Sequence, residues 1–154
     1  MRRKDKEIRD AKDIEKIIRE SLVCRIGMCD GEMPYIVPVC FGYKDKVIYF
    51  HSAKEGKKIE VLKENNRVCF EFETNVELLT SENPCKWSMR YRSVIGFGRA
   101  YFVEDEEEKK QALEIIMRNY SPSDGSYNFE RMGKILVVKI VIDSMTGKQS
   151  GFGG

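Results

Sequence analysis

The chain has 154 residues, of which 42% are hydrophobic and 34% are charged. This length suits a single domain, residues 1–154, with one sizeable core, and the composition excludes disordered and collagen-like chains. The formal net charge of +2 argues against a nucleic-acid partner, and no apolar run approaches the roughly 20 residues of a membrane span. No signal peptide is apparent, so we expect a cytoplasmic protein without a membrane partner.

The first predicted elements are a helix and a β-hairpin. Isoleucines at helical spacing within residues 10–20 predict an amphipathic helix. Strands are predicted at residues 22–28 and 35–43, on either side of Asp30-Gly31, a typical hairpin turn. Because Pro38 lies inside the second strand, we expect an edge, a bulge or a position that needs no ladder hydrogen bond.

The middle of the chain alternates strand and helix patterns. A β-type run predicts a third strand at residues 47–51, and a short helix follows at 56–64. Asn65-Asn66 ends this helix, because Asn tolerates a left-handed cap. Residues 68–73 alternate as a fourth strand, and residues 74–86 are predicted to form a loop.

The last elements are a long strand, a helix and a final strand. The long strand is predicted at residues 87–102, where Gly96 and Gly98 indicate a barrel corner or a close backbone approach. An acidic first turn opens a helix at residues 105–120, and an apolar run predicts the last core strand at 135–142. The segments predicted as connection and polar tail are residues 121–133 and 146–151.

These elements together predict a mainly β fold. About six mostly sequential strands in so short a chain indicate an antiparallel β-barrel with helices on its outside.

The cysteine pattern does not predict a metal site. The five cysteines contain no C-x-x-C pair, and the chain has one histidine. Cys24, Cys40 and Cys69 fall inside apolar strand-like runs, where we expect them to pack as small hydrophobic residues.

The most informative segment is residues 51–62, where a strand gives way to a helix. His51 and Ser52 end the strand, and Gly56 precedes the adjacent lysines Lys57 and Lys58. A helix start offers unpaired backbone N–H groups and the positive end of the peptide dipole. With two lysines beside it, this start is a candidate phosphate site. The alternative is that both lysines are ordinary solvated charges of the helix.

The order and spacing of three segments resemble the pyridoxamine-5′-phosphate-oxidase-like family of split β-barrel flavoproteins. The resemblance is closer to the branch related to 5-nitroimidazole-resistance proteins. It covers nearly the whole chain, and the segments that carry it are Val37-Pro38-Val39, residues 51–62 and residues 92–100.

The resemblance implies an FMN-binding split barrel, with FMN at the interface of a homodimer. It implies that Lys57-Lys58 hold the flavin phosphate, with His51 and Ser52 at the strand end beside it. It places the backbone of Val37-Pro38-Val39 against the isoalloxazine ring. Arg92-Ser93-Val94 stands where the family has Arg-Gln-Val, a flavin-contacting segment, and Ser keeps a hydrogen-bonding group there. On spacing alone, Arg92 with Arg90 and Arg99 equally fits one charged face of a strand.

The implied function is an FMN-dependent oxidoreductase of the nitroreductase or flavin-reductase type. A reduced nicotinamide or another donor would supply electrons for a small electrophile such as a nitro compound or a quinone. His51 is the candidate catalytic residue, as a proton donor near the flavin, although a structural role is the alternative. Trp87 and Tyr91 are expected to pack, for example at a dimer interface.

Other functions stay open at the level of the sequence. Pyridoxamine-phosphate oxidase activity itself is not expected, because the chain lacks the Arg-x-His type motif that enzymes with this activity carry near the C-terminus. A non-enzymatic protein that binds flavin, deazaflavin or haem is one alternative, with His51 as a haem ligand. A barrel without any cofactor is the other.

Overall fold

One antiparallel sheet carries the fold. The computed structural model describes residues 3–121, 127 and 132–152, and within them eight strands join in this sheet. The strands are β1 (Glu7–Ile8), β2 (Cys24–Asp30), β3 (Met33–Val39), β4 (Gly42–Lys44), β5 (Val47–Ala53), β6 (Arg67–Leu79), β7 (Ser88–Val103) and β8 (Ile135–Ser150). Their order is β3-β2-β6-β7-β8-β5-β4, and β1 pairs with β8. The predicted mainly β, antiparallel class is confirmed, with eight strands instead of about six.

The edges of the sheet are β3 and β4, so the described sheet does not close on itself and forms a split barrel. Among the described strands, β3 pairs only with β2, and Pro38 lies within it opposite Arg25. Proline has no backbone N–H to donate, which an edge strand tolerates. The prediction of an edge position for Pro38 is therefore confirmed.

The predicted strand at residues 35–43 is divided in two. β3 ends at Val39 and β4 begins at Gly42, so Cys40 and Phe41 interrupt the predicted strand. A Cβ at Gly42 would lie 2.6 Å from the backbone nitrogen of Ile116, so Gly42 packs directly against the backbone of a helix. Cys40 is exposed at this interruption, and the prediction that it packs in a strand is wrong.

Two strands extend beyond their predicted ends. β6 continues through part of the predicted loop to Leu79, and β8 continues through the predicted polar tail to Ser150. Both extensions pair with β7, which joins Leu78 to Met89 and Ser150 to Tyr91. Pairing with β7 stabilises both extensions, which the local sequence patterns do not reveal. The predicted connection at 121–133 lies largely outside the described residues.

Within the described residues, three α-helices lie outside the sheet, as predicted: α1 (Ala11–Glu20), α2 (Lys57–Glu64) and α3 (Glu106–Tyr120). The Asp10 carboxylate caps α1 by accepting from two backbone N–H groups, and Asp105 caps α3 in the same way through one N–H. α1 buries the isoleucines that predicted it, which are Ile14, Ile17 and Ile18. No helix in the described part of the chain is both long and apolar enough to cross a membrane.

The end of α2 lies at the predicted asparagines but has a different conformation. Asn65 is extended, with φ −144°, instead of left-handed. Its side-chain oxygen accepts from the backbone N–H of Arg67 at 3.1 Å. Asparagine therefore ends this helix through a local side-chain hydrogen bond that competes with the helical pattern.

Aromatic rings fill the core and explain one of the strand glycines. The rings of Phe41 and Phe72 lie 4.8 Å apart, and Phe70 lies 5.8 Å from Phe72. A Cβ at Gly96 would collide with the Phe70 ring, and one at Gly98 would collide with a carbonyl of β8. The register of β7 and β8 also shifts next to Gly98. The close approach predicted for these glycines is confirmed.

Candidate functional site

The start of α2 has the features of an anion site. Gly56 precedes the helix with φ +128° and has no side chain to cap it. The first N–H groups of a helix have no acceptor within the helix, and here no side chain of the N-cap residue accepts from them. Lys57 is exposed and Lys58 half-buried on the first turn. The donors and cations that a phosphate would require are both present here, and the phosphate site itself stays a prediction.

Lys57 also ties this helix start to the β2–β3 hairpin. Its Nζ lies 3.1 Å from Asp30 Oδ2 and 4.9 Å from the centre of the Tyr35 ring. Because the Lys57 and Asp30 side chains are both largely exposed, their ion pair contributes about 0.2–1 kcal/mol. Lys57 is therefore held near the hairpin by contacts that an anion could replace.

The end of β5 leads into this helix start. His51 is exposed and lies opposite Val137 of β8, while Ser52 is buried. The imidazole of His51 is therefore accessible from solvent, and the Ser52 hydroxyl faces the interior.

The edge strand β3 presents its residues on alternate faces. Pro38 is exposed, Val37 is half-buried and Val39 is buried against the core. The side chain of Val39 therefore packs inside, and a ligand at this edge would meet backbone groups and Pro38.

The β7 segment lies elsewhere in the fold. Val94 and Ser93 are buried, and the Arg92 guanidinium lies 4.1 Å from the centre of the Phe152 ring. Arg92 also lines a polar cleft of about 400 Å³ with side chains of β1 and α1. Of the three residues, Arg92 alone presents a charged side chain to a cleft.

Within one chain, the candidate site residues fall into two separate groups. Asp30, which contacts Lys57, lies eight register positions along β2 from the row that holds Arg92. At about 3.3 Å per residue, these positions span roughly 26 Å. The structure therefore joins residues 51–58 to the β2–β3 hairpin, and it leaves Arg92-Ser93-Val94 at the opposite end of the sheet.

An apolar groove on the outside of the sheet is not evident from the sequence. The groove has a volume of about 600 Å³. Cys29, Ile36, Cys69 and Phe97 line it, with Arg67 at its border. Alternation of apolar residues along β7 was the available signal, but the groove becomes visible only when four strands are in register.

A charged cluster lies on the same outer surface. Arg25 Nη1 donates to Glu71 Oε2 at 3.1 Å, and Arg25 Nη2 lies 2.9 Å from Glu73 Oε1. Burial and the neighbouring Glu73 raise the pKa of Glu71 above its usual value, against the lowering effect of Arg25. One arginine therefore serves two carboxylates, and the cluster keeps a net negative charge.

Trp87, Tyr91 and Cys24, which the sequence analysis also named, make contacts within the fold. The exposed Trp87 donates its indole N–H to the Ser81 carbonyl at 2.7 Å, and Lys148 lies over the Tyr91 ring. Cys24 is buried, and burial raises its thiol pKa. In the described ranges, no group of three or more His, Cys, Asp or Glu side chains is arranged to hold a metal ion.

Comparison with known proteins defines the family. The model of the pyridoxamine 5′-phosphate oxidase family matches residues 10–149. The chain therefore belongs to this family, and the family and the split barrel agree with the expectations drawn from its sequence. No curated protein matches the chain by sequence.

Solved structures support the same assignment. A candidate 5-nitroimidazole antibiotic resistance protein from Bacteroides thetaiotaomicron is 42% identical, with a TM-score of 0.81 over 93% of this chain and 86% of that one. The resemblance to this branch is thereby confirmed. A flavocytochrome from Azotobacter vinelandii is 18% identical, with a TM-score of 0.83 over 99% of this chain and 72% of that one.

A third structure shares the fold at low identity. An FAD and haem binding protein from Mycobacterium smegmatis is 15% identical, with a TM-score of 0.84 over 96% of this chain and 74% of that one. At such identities the last two matches show the fold alone.

Proposed function

We propose that this protein is an FMN-binding oxidoreductase that reduces a small electrophile through its bound flavin. The observation that carries the proposal is the start of α2, where a helix with no N-cap side chain and two adjacent lysines adjoin an edge strand. Membership of the pyridoxamine 5′-phosphate oxidase family supports a flavin as the ligand. A cytoplasmic location is part of the proposal.

The donors at this site fit a flavin phosphate. A phosphate dianion is stabilised by fixed cations and by N–H groups at a helix start. Lys57 and Lys58 provide the cations, and the uncapped first turn provides the N–H groups. Ser52 faces inward, so we assign it to the support of the strand end rather than to direct phosphate contact.

The flavin ring would lie along the edge strand β3, where Val37-Pro38-Val39 shares its register rows with residues 94–96 of β7. The backbone of Val37-Pro38-Val39 forms a free sheet edge, and an edge offers backbone groups that a ring nitrogen or carbonyl can pair with. His51 is exposed at the end of β5, and we assign it the catalytic position.

The proposal includes a homodimer with FMN at the interface. Lys57 pairs with Asp30, whose register row lies roughly 26 Å along the strands from the row of Arg92. A tricyclic ring with a five-carbon chain is shorter than this. The separation supports a flavin that takes Lys57 and Lys58 from one copy and Arg92-Ser93-Val94 from a second.

The chain's own residues have limited chemical tasks in this reaction. Bound FMN supplies reversible two-electron transfer. A reduced nicotinamide donor is oxidised, and a nitro compound or a quinone is reduced. A quinone takes up two electrons and two protons. The hydride of the nicotinamide accounts for both electrons and one proton, and His51 is the group that would supply the second proton from its imidazole.

Two related activities differ from this proposal. Synthesis of pyridoxal phosphate is not part of this proposal. The second candidate is a non-enzymatic flavin, deazaflavin or haem carrier. Two proteins of the same fold are described as a flavocytochrome and as an FAD and haem binding protein, and the exposed His51 is an available haem ligand.

The test is the visible absorption spectrum of the purified protein, before and after addition of FMN. We expect the two bands of oxidised flavin, which dithionite bleaches, and we expect the double variant Lys57→Ala, Lys58→Ala to lose bound FMN. Each lysine makes a charge-assisted contact worth about 1.5–3 kcal/mol. The matched control is Lys63→Ala, at the other end of α2, which should retain FMN.

The outcomes separate the candidates. A bleachable flavin that oxidises reduced nicotinamide supports the oxidoreductase, whereas flavin without turnover supports the carrier. A sharp Soret band would point to haem and to His51. A protein that stays colourless with added FMN would contradict the proposal.

A further inference from the structure

A polar cleft of about 510 Å³ lies between two helices and the turn that joins β4 to β5. This volume is within the range of sites for small molecules. No described residue of its lining belongs to the flavin site proposed above. We call it the α1–β4–α3 cleft, and its lining residues are Arg19, residues 43–45, Ile115, Arg118 and Asn119.

Backbone packing fixes the walls of this cleft. Gly42 lies directly against α3, where a Cβ would be 2.6 Å from the backbone nitrogen of Ile116. Asp45 and Lys46 form the turn with positive φ angles of 50° and 62°, as in a two-residue hairpin. The Lys46 carbonyl also accepts from the backbone N–H of Ile142 at 3.2 Å. The cleft is therefore pre-formed, which lowers the cost of binding a ligand.

Three cations from three different elements line the cleft. Arg19 lies in the last turn of α1, Lys44 lies on β4 and Arg118 lies in the last turn of α3. Within the described residues, Arg19 and Lys44 make no ion pair, and Arg118 approaches Glu114 only to 3.9 Å. Among the described lining residues, Asp45 is the one carboxylate. Three cations and one carboxylate leave a formal charge of +2 in the cleft.

Local structure explains only part of this charge. The helix dipole stabilises cations in the last turn of a helix, which accounts for Arg19 and Arg118. It does not account for Lys44, which lies on a strand. The Glu15 carboxylate accepts from the Tyr43 hydroxyl at 3.2 Å and is not part of the lining. The cleft therefore holds more positive charge than the described residues around it neutralise.

The side chain of Asn119 independently indicates a missing acceptor. Asn119 lines the cleft, and its Nδ2 is buried without a hydrogen-bond partner. A buried donor without an acceptor lowers stability. Rotation of the amide toward the cleft would let it donate to a ligand that carries oxygen atoms. The same cleft thus offers surplus positive charge and an unused donor.

We infer that the α1–β4–α3 cleft binds a small phosphate monoester, at a site separate from that of the flavin. Arg19, Lys44 and Arg118 bind the phosphate dianion, since guanidinium groups pair with phosphate through two parallel hydrogen bonds. Asn119 donates to one of the phosphate oxygens. The two negative charges of the phosphate match the formal charge of the cleft.

The organic part of the ligand lies against the apolar part of the lining. Ile115 is half-buried, and the Tyr43 ring is buried in the cleft wall. Apolar side chains beside a few polar groups are typical of small-molecule sites. A ligand with an apolar group next to its phosphate therefore fits the cleft better than inorganic phosphate does.

The test is an NMR titration of the isotope-labelled full-length protein with phenyl phosphate at constant ionic strength. It is performed on wild-type protein with excess FMN and on the Lys57→Ala, Lys58→Ala variant. This variant lacks the other candidate phosphate site, so the result does not depend on flavin binding. We expect saturable shifts at residues 43–46 and 118–119 and at the side-chain amide of Asn119 in both proteins.

Single substitutions in the same titration identify the cations. Arg19→Gln, Lys44→Gln and Arg118→Gln each remove a charge-assisted contact, so we expect each to weaken phenyl phosphate binding about 10-fold or more. The matched control is Lys110→Gln, at an exposed position of α3 outside the lining, which should leave the Kd unchanged. Circular dichroism establishes that each variant is folded. Equal weakening by the control would reduce the effect to general charge and overturn the inference.

The remaining outcomes test the ligand class and separate it from the flavin. Benzoate has the same ring with one negative charge, so we expect it to bind more weakly, and equal affinity would overturn a phosphate site. Shifts that do not saturate, or that miss these residues, would overturn the inference and leave the flavin proposal intact. Phenyl phosphate that binds although the wild-type protein takes up no FMN would support this cleft and contradict only the flavin proposal.

Discussion

At the scale of single residues, the candidate phosphate site contains its own competing anion. The Lys57 ammonium pairs with Asp30 and lies over the Tyr35 ring, whereas Lys58 has no ion pair within the described residues. To bind a phosphate, Lys57 must break its ion pair with Asp30, whereas Lys58 has no ion pair to break in the described structure. The two lysines, equivalent in the sequence, are therefore unequal in the structure.

We predict that Asp30→Asn tightens FMN binding. The substitution removes the carboxylate that holds Lys57, and the exposed pair is worth about 0.2–1 kcal/mol. The FMN Kd, measured by fluorescence quenching, should fall by about 1.5- to 5-fold. Glu32→Gln removes a charge from the same turn without removing an ion pair in the described structure, so it is the control. Equal effects of the two substitutions would show that Asp30 acts only through its general charge.

At the scale of the elements, two glycines of β7 allow this strand to pack closely against its neighbours. Gly96 lies against the Phe70 ring and the Ser144 carbonyl, so a methyl group at this position has no room. Gly96 and Gly98 look like weak points of a strand in the sequence. In the structure they are the positions where β7 packs against its neighbours.

We predict that Gly96→Ala lowers the free energy of unfolding by about 1–3 kcal/mol, because overpacking forces Phe70 or the backbone to move. Gly133→Ala is the matched control, since a Cβ at Gly133 meets nothing within 4 Å. Urea unfolding of both variants measures the difference. Similar stabilities for the two would contradict the packing found around Gly96.

Tyr43 links β4 to α1 and gives the protein an alkaline pH dependence. Its hydroxyl donates to Glu15 Oε1 at 3.2 Å, and burial, with the nearby Glu15, raises the pKa of Tyr43 to about 12. An unfolded tyrosine ionises at about 10. Stability from this group is therefore complete below pH 10 and is lost as the pH rises toward 12.

We predict that wild-type protein loses more stability than Tyr43→Phe between pH 9 and about 11.5, by about 1–3 kcal/mol. The difference between the two proteins cancels the titration of groups that they share. Tyr101→Phe, at an exposed position of β7, should follow the wild-type pH profile. A parallel fall of all three proteins would show that Tyr43 retains no raised pKa.

At the scale of the whole molecule, local patterns predicted the parts that local forces determine. The isoleucine spacing of α1, the acidic first turn of α3 and the Asp30-Gly31 turn all describe interactions within a few residues. Gly31 takes the positive φ of 61° that such a turn requires. The order of the elements predicted an antiparallel barrel in general terms, and the resemblance to a family specified the split barrel.

The remaining features depend on strand pairing between distant segments, so the sequence alone did not predict them. The segment at residues 146–150 is polar and contains a glycine, yet it pairs with β7 on one side, and β1 pairs with part of it on the other. Its neighbours supply hydrogen bonds that no local pattern records. The apolar groove is not evident from the sequence for the same reason, because Ile36 and Phe97 come into one row only through the register of four strands.

The separation of the two site groups is a property of the whole molecule. The sequence brought Lys57, Lys58 and Arg92 together only through resemblance, and one chain holds them at opposite ends of the sheet. The proposed homodimer would resolve this separation. In it, each flavin site takes its lysines from one protomer and Arg92 from the other.

The most direct test is the FMN content of a mixture of two variants, Lys57→Ala with Lys58→Ala in one and Arg92→Ala in the other. We predict that neither variant alone binds FMN well. After random exchange of subunits, half of the dimers are mixed and each mixed dimer has one intact site of two, so about one quarter of the wild-type FMN should return. A mixture that binds no more FMN than the average of its separate components would contradict a site shared between protomers.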